Sequence, residues 1–455
     1  MIQVSRVFHA GYIFTASDGT RVLFDPIFES PFATNCYPFP ATTIDHAELA
    51  KDHFDAVFIS HHHDDHFSLL SLDRLDRKTP IYLYCRTPEP FDFLRELGFE
   101  SVHSLELNVA VTIGSFEITP RPSVNREVDA LFEIESGNLR ILNCVDAWIE
   151  DTTVAELSQR KWDLVLWPFQ TLLETDIICP QFALPADQTL PQEWLTQIEV
   201  LSPRFVVPSS CQFLHEAGSW VNSAHFPITY VEFAREVSAL GATVVKLDPG
   251  VEADLTEQGF VLRGRVPWVR SVQQSTNTTG SEYDYVYDAN VIAPPTSEVA
   301  QRFGSVTEDE WMTLIQFIRA ELPIRFSELR ESSEDYFSKS RVWSLTLHDP
   351  IHGAIEFKFD IDGRQMIESS KTFSRNALPE WRSEIIASKL LSCLNDGESL
   401  TSLYLRVNDG DFSNECLDEL KWVDVLADPL IRCLYEKDTH AFQRAQLKKL
   451  LRSRT

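Results

Sequence analysis

Four histidines and two aspartates occupy positions 61–66 of this 455-residue chain, in the stretch ISHHHDDHFS. The residues before them, FDAVFIS, are apolar, β-branched and aromatic, which predicts a short buried strand. The residues after them, FSLLSLDRL, carry apolar side chains at helical spacing. The cluster therefore lies where a strand ends and a helix begins, a position at which polar side chains can converge on a ligand.

The spacing within the cluster indicates a metal site. In an extended or loop segment, residues two apart point the same way, so His61 and His63 can present imidazole nitrogens to one ion. Asp65 and His66 begin the next element and can face a second ion. Divalent ions of borderline softness prefer such nitrogen and carboxylate ligands.

A polar, exposed turn with incidental histidines is the alternative, in which Asp64 or Asp65 is the N-cap of the helix. In the metal interpretation, His62 and Asp64 point away from the ions. The pattern HxHxDH directly after an apolar strand is more specific than HxH alone. We therefore interpret the cluster as a dinuclear metal site.

The composition excludes several classes of function. Lys+Arg 40 against Asp+Glu 68 gives a net charge of −28, and such a field repels nucleic acid and anionic lipid. No apolar run approaches the roughly 20 residues of a membrane span, the N-terminus lacks a signal-peptide pattern, and the 8 cysteines are scattered singly. We expect a cytoplasmic protein with reduced thiols that binds neither nucleic acid nor membrane.

The order of predicted elements indicates an α/β layered domain followed by a smaller α+β domain. Over residues 1–265, short strands alternate with helices, which predicts sheet in the middle and helices outside. Residues 266–295, with the polar stretch SVQQSTNTTGSEY, are expected to form a linker. Over residues 296–455 we predict amphipathic helices at TEDEWMTLIQFIRAEL and LPEWRSEIIASKLLSCLNDG, and a hairpin-like sheet from VWSLTLHD and GAIEFKFDIDGRQM.

Three conspicuous residues of the second domain are expected to be structural. His348 and His352 flank a proline-containing turn in LHDPIHG, so we interpret them as turn residues rather than a ligand pair. Trp381 in PEWRSEI is expected to anchor the core.

The cluster resembles the HxHxDH motif of the metallo-β-lactamase superfamily. The stretch HAGYIFTASDGTRVLFDPIFESPFATN resembles the opening of its lactonase-like branch, and RILNCVDAW resembles the segment that supplies its metal-bridging aspartate, here Asp146. Further along, VVPSSCQFLHEAGSWVN, LDPG and WRSEIIASKLLSCLNDGESLTSLYLRVND resemble CMP-sialic acid hydroxylase and its relatives. The resemblance implies a metallo-β-lactamase-like αββα sandwich with a smaller C-terminal α+β domain.

Two features depart from that resemblance. The hydroxylases carry a Rieske iron–sulfur domain with Cys-x-His ligands, and none of the cysteines here is followed by x-His, so we expect no internal cluster. The resemblance implies a first ion held by His61, His63 and Asp146. Where the superfamily adds a third histidine, this chain has Asn125, whose amide oxygen is a weaker ligand.

Several further residues are candidates either for metal binding or for contacts that hold the ligands. For the last histidine of the superfamily, spacing does not choose among Cys211, His215 and His225, each of which can equally be structural. His9 is expected to orient a metal ligand or to cap a hairpin. Asp25 is expected to hydrogen-bond a ligating histidine or to start a turn, and the resemblance favours the first of these.

Two divalent ions, with zinc favoured and iron as the alternative, imply a metal-dependent hydrolase. In this hypothesis a metal-bound hydroxide attacks an ester, lactone or phosphodiester bond of a small molecule. Asp65 is the candidate catalytic residue, because it can orient the hydroxide and carry its proton. One alternative is a dinuclear-iron oxygenase that needs an external reductase, and another is a non-catalytic module with a degenerate site. A homodimer and the role of the second domain stay open.

Overall fold

The computed structural model describes residues 1–271, 283–329, 336–369, 380–436 and 440–454. The chain divides into two compact units, which are described separately. The first unit comprises residues 1–171, 186–289 and 446–455, and the second comprises residues 172–185 and 290–445. Most of the polar stretch that we interpret as a linker, 272–282, lies outside the described residues.

The strands of the first unit are short and mostly buried. In chain order they are β1 (Ile2–Arg6), β2 (Tyr12–Ala16), β3 (Arg21–Phe24), β4 (Tyr37–Pro38), β5 (Thr42–Ile44), β6 (Ala56–Ile59), β7 (Ile81–Leu83), β8 (Val102–Ser104), β9 (Val111–Ile113), β10 (Phe116–Pro122), β11 (Ala130–Ser136), β12 (Leu139–Asn143), β13 (Leu164–Pro168), β14 (Phe205–Ser209), β15 (Phe213–Leu214), β16 (Thr243–Val244), β17 (Val251–Leu255), β18 (Phe260–Arg265) and β19 (Val269–Ser271).

Two sheets form the centre of the first unit. One has the order β18-β17-β1-β2-β3-β6-β7-β8, and the other has the order β16-β14-β13-β12-β11-β10-β9. Apolar side chains of both sheets share one buried core. Phe24 and Phe58 of the first sheet stack with ring centroids 5.0 Å apart, and Phe132 of the second sheet meets Phe24 edge-on at 5.2 Å. These facing sheets confirm the predicted sandwich.

The helices belong to both units. In chain order they are α1 (His46–Leu49), α2 (Leu69–Leu72), α3 (Glu89–Leu97), α4 (Asp151–Leu157), α5 (Glu174–Ile178), α6 (Gln192–Leu201), α7 (Val221–Ala224), α8 (Tyr230–Ala239), α9 (Thr296–Phe303), α10 (Glu308–Gln316), α11 (Leu322–Ser327), α12 (Ala387–Asp396), α13 (Asn414–Leu420), α14 (Pro429–Ile431) and α15 (Ala441–Arg454). Within the described part of the chain, none of them has the length and apolar content needed to cross a bilayer.

The second unit has the predicted α+β character. Its sheet contains β20 (Arg341–Asp349), β21 (Gly353–Asp362), β22 (Gln365–Glu368), β23 (Trp381–Ile386) and β24 (Arg406–Val407) in the order β22-β21-β20-β23-β24. The antiparallel pair β20 and β21 is the predicted hairpin. Trp343 and Trp381 are buried in the core of this unit, which confirms the structural role expected of Trp381.

One predicted helix of the second unit begins later than expected. The stretch LPEWRSEIIASKLLSCLNDG reads as one amphipathic helix, but Trp381–Ile386 is the strand β23 and the helix starts at Ala387. Leu378 and Pro379 at its start lie outside the described residues. In β23 alternate side chains are buried, and the strand pairs in parallel with β20, so sheet pairing overrides the helical periodicity.

The two histidines expected in a turn have different positions. His348 lies within β20 rather than in the turn, and its Nε2 is 3.0 Å from an Oε2 atom of Glu384. His352 does lie in the turn, where its ring stacks on Trp311 with centroids 5.0 Å apart. Both side chains therefore have structural partners within the second unit.

Part of the expected linker is packed into the first unit. Within 266–295, Val266, Trp268 and Tyr285 are buried. The indole of Trp268 lies edge-on to Phe28 and donates a hydrogen bond of 2.7 Å to Oδ2 of Asp52. The apolar residues of RVPWV therefore pack this part of the segment into the first unit.

Candidate metal centre

The cluster at 61–66 directly follows strand β6, as predicted. All residues of β6 are buried and apolar, and β6 pairs in parallel with both β3 and β7. After the strand, the chain turns sharply because the amides of His66 and Phe67 both donate to the carbonyl of His63, at 3.0 and 2.8 Å. The turn brings His66 back beside His61, with ring centroids 4.1 Å apart.

The alternative interpretation of the two aspartates as a helix cap is wrong. Helix α2 begins at Leu69, and its N-cap is Ser68, whose hydroxyl accepts a 3.4 Å hydrogen bond from the amide of Ser71. Asp64 and Asp65 precede this cap, so the turn leaves the carboxylate of Asp65 available for other contacts.

Imidazoles and carboxylates from distant parts of the chain converge at this turn. His61, His66 and Asp146 form one group whose ligand atoms lie within 4.8 Å of one another, and His9, Asp65 and His66 form a second. In the first group, Oδ2 of Asp146 is 3.2 Å from Nε2 of His66 and 4.0 Å from Nε2 of His61. In the second, Nε2 of His9 is 3.0 Å from Oδ2 of Asp65 and 3.3 Å from Nε2 of His66.

The exposed side chain of His63 lies at the edge of this centre. Its ring centroid is 4.4 Å from that of His61, but its nitrogens are not part of either group. His62 points elsewhere, since its Nδ1 lies 3.9 Å from the thiol sulfur of Cys85. The alternation expected for the stretch therefore holds for the direction of these two side chains.

Asp25 and Ser60 orient the two buried histidines. Oδ1 of Asp25 accepts from the amide of Ser60 at 2.7 Å, and Oδ2 accepts from the Ser60 hydroxyl at 2.8 Å and from Nδ1 of His66 at 3.1 Å. Because the Ser60 hydroxyl gives its proton to Asp25, Nδ1 of His61 donates to the Ser60 oxygen at 2.9 Å. This network places a proton on Nδ1 of both histidines and leaves Nε2, on the side that faces Asp146, as the atom that can bind a cation. Ser60 was not a candidate from the sequence.

The backbone is strained at three of these positions. His9, Asp25 and Val145, which precedes Asp146, have φ angles of 51°, 38° and 57°. Such conformations are unfavourable for residues other than glycine and persist only where surrounding contacts enforce them. The guanidinium of Arg6 donates to the carbonyl of His9 at 2.8 Å, and a hydroxyl hydrogen bond of 2.7 Å from Ser210 holds the carbonyl of Val145.

The acids and imidazoles shift the pKa values of one another. Burial and the neighbouring His66 hold the pKa of His61 well below its usual range. Burial also opposes protonation of His66, but Asp146 and Asp65 outweigh it and raise the pKa of His66 well above its usual range. Burial opposes ionisation of Asp146, yet His66 and His61 hold its pKa low. The centre thus favours a positive charge, which a proton or a cation can supply.

The other candidates from the sequence lie outside both groups. Among the described residues, neither group of imidazole, thiol and carboxylate ligands includes Cys211, His215 or His225. Asn125 is exposed. His215 is buried with its Nδ1 3.1 Å from Nδ2 of Asn35, and the ring of His225 lies edge-on to Trp220 at 5.3 Å. The backbone carbonyl of Cys211 accepts from the hydroxyl of Tyr285 at 3.1 Å.

One acidic residue near the centre was not singled out from the sequence. Asp129 lies at the start of β11, half-buried, and burial raises its pKa to about 6. Within the described structure, its Oδ1 atom is shielded from solvent and has no hydrogen-bond partner. No local pattern marks this aspartate, because its surroundings are made by residues distant in the chain.

A cleft of about 570 Å³ opens at the C-terminal ends of β7 and β8. Cys85, in its lining, contacts His62, which points away from the metal centre, and the lining includes none of the candidate ligands. A volume of this size accommodates a small molecule. The lining combines apolar and polar side chains: Tyr84, Cys85, Arg86, Ser104, Leu105, Glu106 and Leu107.

Several known proteins are similar to parts of this chain. A protein of Mycolicibacterium smegmatis, whose name describes a Rieske 2Fe-2S iron-sulfur protein, is 30% identical over 127 residues, which are 26% of this chain and only 23% of that protein. CmlA, a diiron beta-hydroxylase from Streptomyces venezuelae, is 17% identical with a TM-score of 0.39, over 54% of this chain and 53% of that chain. An isothiocyanate hydrolase from Delia radicum gut bacteria is 14% identical with a TM-score of 0.41, over 56% of this chain and 99% of that chain.

The family described as "Beta-lactamase superfamily domain" matches residues 20–133. The matched segment begins at β3, includes the HxHxDH cluster and extends into β11, so it contains strands of both facing sheets. The match and the sandwich together identify the first unit as a domain of the metallo-β-lactamase fold.

Proposed function

We propose that the first unit is a metal-dependent hydrolase that cleaves an ester, lactone or phosphodiester bond of a small molecule. The observation that carries the proposal is the convergence of His9, His61, His66, Asp65 and Asp146 on one point, with ligand atoms of each group within 4.8 Å.

The residues at this point fit divalent cations. Imidazole and carboxylate donors suit zinc and iron, and Oδ1 of Asp146 is buried without a hydrogen-bond partner within the described structure. A buried carboxylate oxygen without a donor is unfavourable unless a cation stabilises it. His61 and Asp146 would hold one cation together with His63, whose ring lies 4.4 Å from that of His61 and whose side chain would have to rotate to bring a nitrogen to the cation.

The second cation would be held by His66, Asp65 and His9. Bound cations would supply an acidified water and a Lewis acid for the carbonyl or phosphoryl oxygen of the substrate. Asp65 would orient the attacking water and carry its proton to the leaving group. Asp25 and Ser60 would keep the imidazoles directed at the cations through the hydrogen bonds to their Nδ1 atoms.

A dinuclear-iron oxygenase is the second candidate function. The carboxylates of Asp65 and Asp146 favour iron more than an all-imidazole site would. The M. smegmatis relative named for a Rieske group points in the same direction, since such a group transfers electrons. This function would require an external reductase. A non-catalytic module with a degenerate site is the third candidate.

The His63→Ala variant tests whether the cluster holds metal. Because His63 is exposed, its removal leaves the buried core unchanged, and we expect the loss of at least one metal equivalent. Metal content is measured by mass spectrometry of the purified protein. His62→Ala is the matched control, because this neighbouring imidazole faces Cys85, and it is expected to retain all metal. Full retention by His63→Ala would contradict the assignment.

The identity of the metal and a model-substrate assay separate the candidate functions. Two zinc ions, a colourless solution and hydrolysis of p-nitrophenyl acetate or bis(p-nitrophenyl) phosphate that Asp65→Asn abolishes would support the hydrolase. Two iron ions with oxo-to-iron absorption would support the oxygenase instead. A wild-type protein that binds no metal after incubation with zinc or ferrous ions would overturn both enzymatic functions.

A further inference from the structure

We propose that Asp129, rather than Asn125, is the ligand that replaces the third imidazole of the first ion. This inference deepens the proposed function and rests on it for the presence of a cation. The ends of β11 and β12, the turn before β11 and two carboxylate oxygens without a described donor point to Asp129.

Two paired strands have Asp129 and Asp146 beyond the same end of their ladder. Strands β11 and β12 are antiparallel, and the last pair of their ladder is Phe132 with Asn143. Asp129 precedes β11 by one residue and Asp146 follows β12 by three, so both lie just beyond the same end of this pair. The ladder itself ends at Asn143, where the amide oxygen of that side chain accepts from the amide of Val145 at 3.1 Å.

Hydrogen bonds beyond the ladder hold the two strand ends together. The amide of Val124 donates to the carbonyl of Trp148 at 2.8 Å, and Ser123 forms a bridge with Ile149. These contacts involve the segment that leads into the Asp129 turn and the segment that follows Asp146. The two aspartates are therefore enclosed between backbone contacts on both sides.

The turn before β11 directs Asn125 and Asp129 differently. The carbonyl of Asn125 accepts from the amides of Val128 and Asp129 at 2.9 and 3.0 Å, and the hydroxyl of Ser123 donates to the carbonyl of Asp129 at 3.1 Å. The turn leaves the side chain of Asn125 exposed and that of Asp129 half-buried. The backbone carbonyl of Asn125 thus holds the turn that precedes Asp129.

Two buried carboxylate oxygens near the ends of β11 and β12 have no described hydrogen-bond donor. Oδ1 of Asp129 and Oδ1 of Asp146 are both shielded from solvent and lack hydrogen-bond partners within the described residues. A cation between them would stabilise both oxygens. Asp129 is not part of either 4.8 Å group, so rotation about its side-chain bonds has to bring the carboxylate to the ion.

The inference changes the chemistry of the first ion's site. With His61, His63, Asp146 and Asp129, the donors are two imidazoles and two carboxylates. Three imidazoles with one carboxylate suit zinc, whereas a larger share of carboxylate oxygens favours harder ions such as ferrous iron or manganese. The structure therefore assigns this position a lower preference for zinc than a third histidine would give it.

Metal stoichiometry tests the inference, with Asn125→Ala as the matched control. The chelator-treated wild type and both variants are reloaded with zinc or, without oxygen, with ferrous ions, desalted and measured by mass spectrometry. We expect two equivalents in the wild type and in Asn125→Ala, and about one in Asp129→Ala. Two equivalents in Asp129→Ala, or the loss of one in Asn125→Ala, would overturn the assignment. A wild type without metal would overturn the proposed function itself.

Thermal unfolding of Asp129→Asn distinguishes a ligand from a merely structural residue. Because no described residue donates a hydrogen bond to Oδ1 of Asp129, we expect the Tm of metal-free Asp129→Asn to equal or exceed that of the wild type. The rise in Tm on adding zinc should be smaller in the variant. A lower metal-free Tm together with an unchanged rise would assign Asp129 a structural role and overturn the inference. Asp129→His should regain the second equivalent and shift the preference toward zinc.

Discussion

A histidine can ligate a cation only through a nitrogen that carries a lone pair, and Asp25 and Ser60 decide which nitrogen that is. The Asp-Pro sequence and the family resemblance indicate Asp25 as a partner of a ligating histidine, and its 3.1 Å contact with His66 agrees with that expectation. Ser60 could not be predicted in this way. Its role depends on a carboxylate 35 residues earlier in the chain, and serine before a histidine has no specific pattern.

The buried imidazole of His215 makes stability depend on pH. Burial and His225 lower its pKa to about 4, whereas a histidine in an unfolded chain titrates near 6.5. Between these values the unfolded state binds a proton that the folded state does not, so stability falls as the pH drops through this range. The expected loss is on the order of 3 kcal/mol at the lower end.

His215→Gln tests this dependence, because glutamine does not titrate and can still accept from Asn35. Urea denaturation between pH 7 and pH 4.5 should show a smaller loss of unfolding free energy in the variant than in the wild type. His53→Gln, at an exposed side chain, should keep the wild-type slope. Equal slopes for His215→Gln and the wild type would contradict the expectation.

The ends of neighbouring strands bring residues of the metal centre close together. The strands β3, β6 and β7 pair in parallel, so Asp25, His61 and Cys85, which follow them, meet at one edge of the sheet. The sequence predicted β6 and the turn after it because their patterns are local. The resemblance indicated Asp146, which follows β12 of the other sheet, but no local pattern marks Asp129 before β11, because the surroundings of that aspartate depend on how the two sheets face each other.

Two glycines that follow helices in the second unit differ in the space available for a Cβ atom. Gly304 after α9 and Gly397 after α12 have similar positive φ angles of 73° and 76°. A Cβ atom at Gly304 would meet nothing within 4 Å, whereas one at Gly397 would lie 2.7 Å from Cα of Phe442. Alanine at either position strains the backbone, but only Gly397→Ala also forces backbone atoms apart.

We expect Gly397→Ala to lose about 2 kcal/mol more unfolding free energy than Gly304→Ala. Urea denaturation of the whole chain, followed by circular dichroism, measures the difference. Similar midpoints for the two variants would show that the segment around Phe442 can shift without penalty.

At the scale of the whole molecule, the sequence predicted two parts with different architecture, and both parts have the expected class of fold. It was harder to predict which segments of the chain belong to each part. Residues 172–185 belong to the second unit and residues 446–455 to the first, although each is distant in sequence from the rest of its unit. Local composition marks polar stretches such as SVQQSTNTTGSEY, but it does not reveal which distant elements a segment packs against.

Hydrogen exchange can show which unit binds the cations. A ligand that binds only the native state suppresses the opening of the region that holds it. Adding zinc to chelator-treated protein should therefore slow amide exchange at residues 56–68 and 143–148. Strand β20 of the second unit is the internal control and should exchange at an unchanged rate. Equal slowing in β20, or no change at 56–68, would contradict a metal centre confined to the first unit.

Both groups of candidate ligands include His66, whose Nε2 atom faces Asp146 on one side and Asp65 with His9 on the other. An imidazole nitrogen has a single electron pair to give, so this side chain can serve one cation at a time. In the proposed ligand sets His66 binds the second cation, so the first cation has to complete its set with His63 and Asp129, which belong to neither group. Occupancy of one position therefore fixes which donors are left for the other.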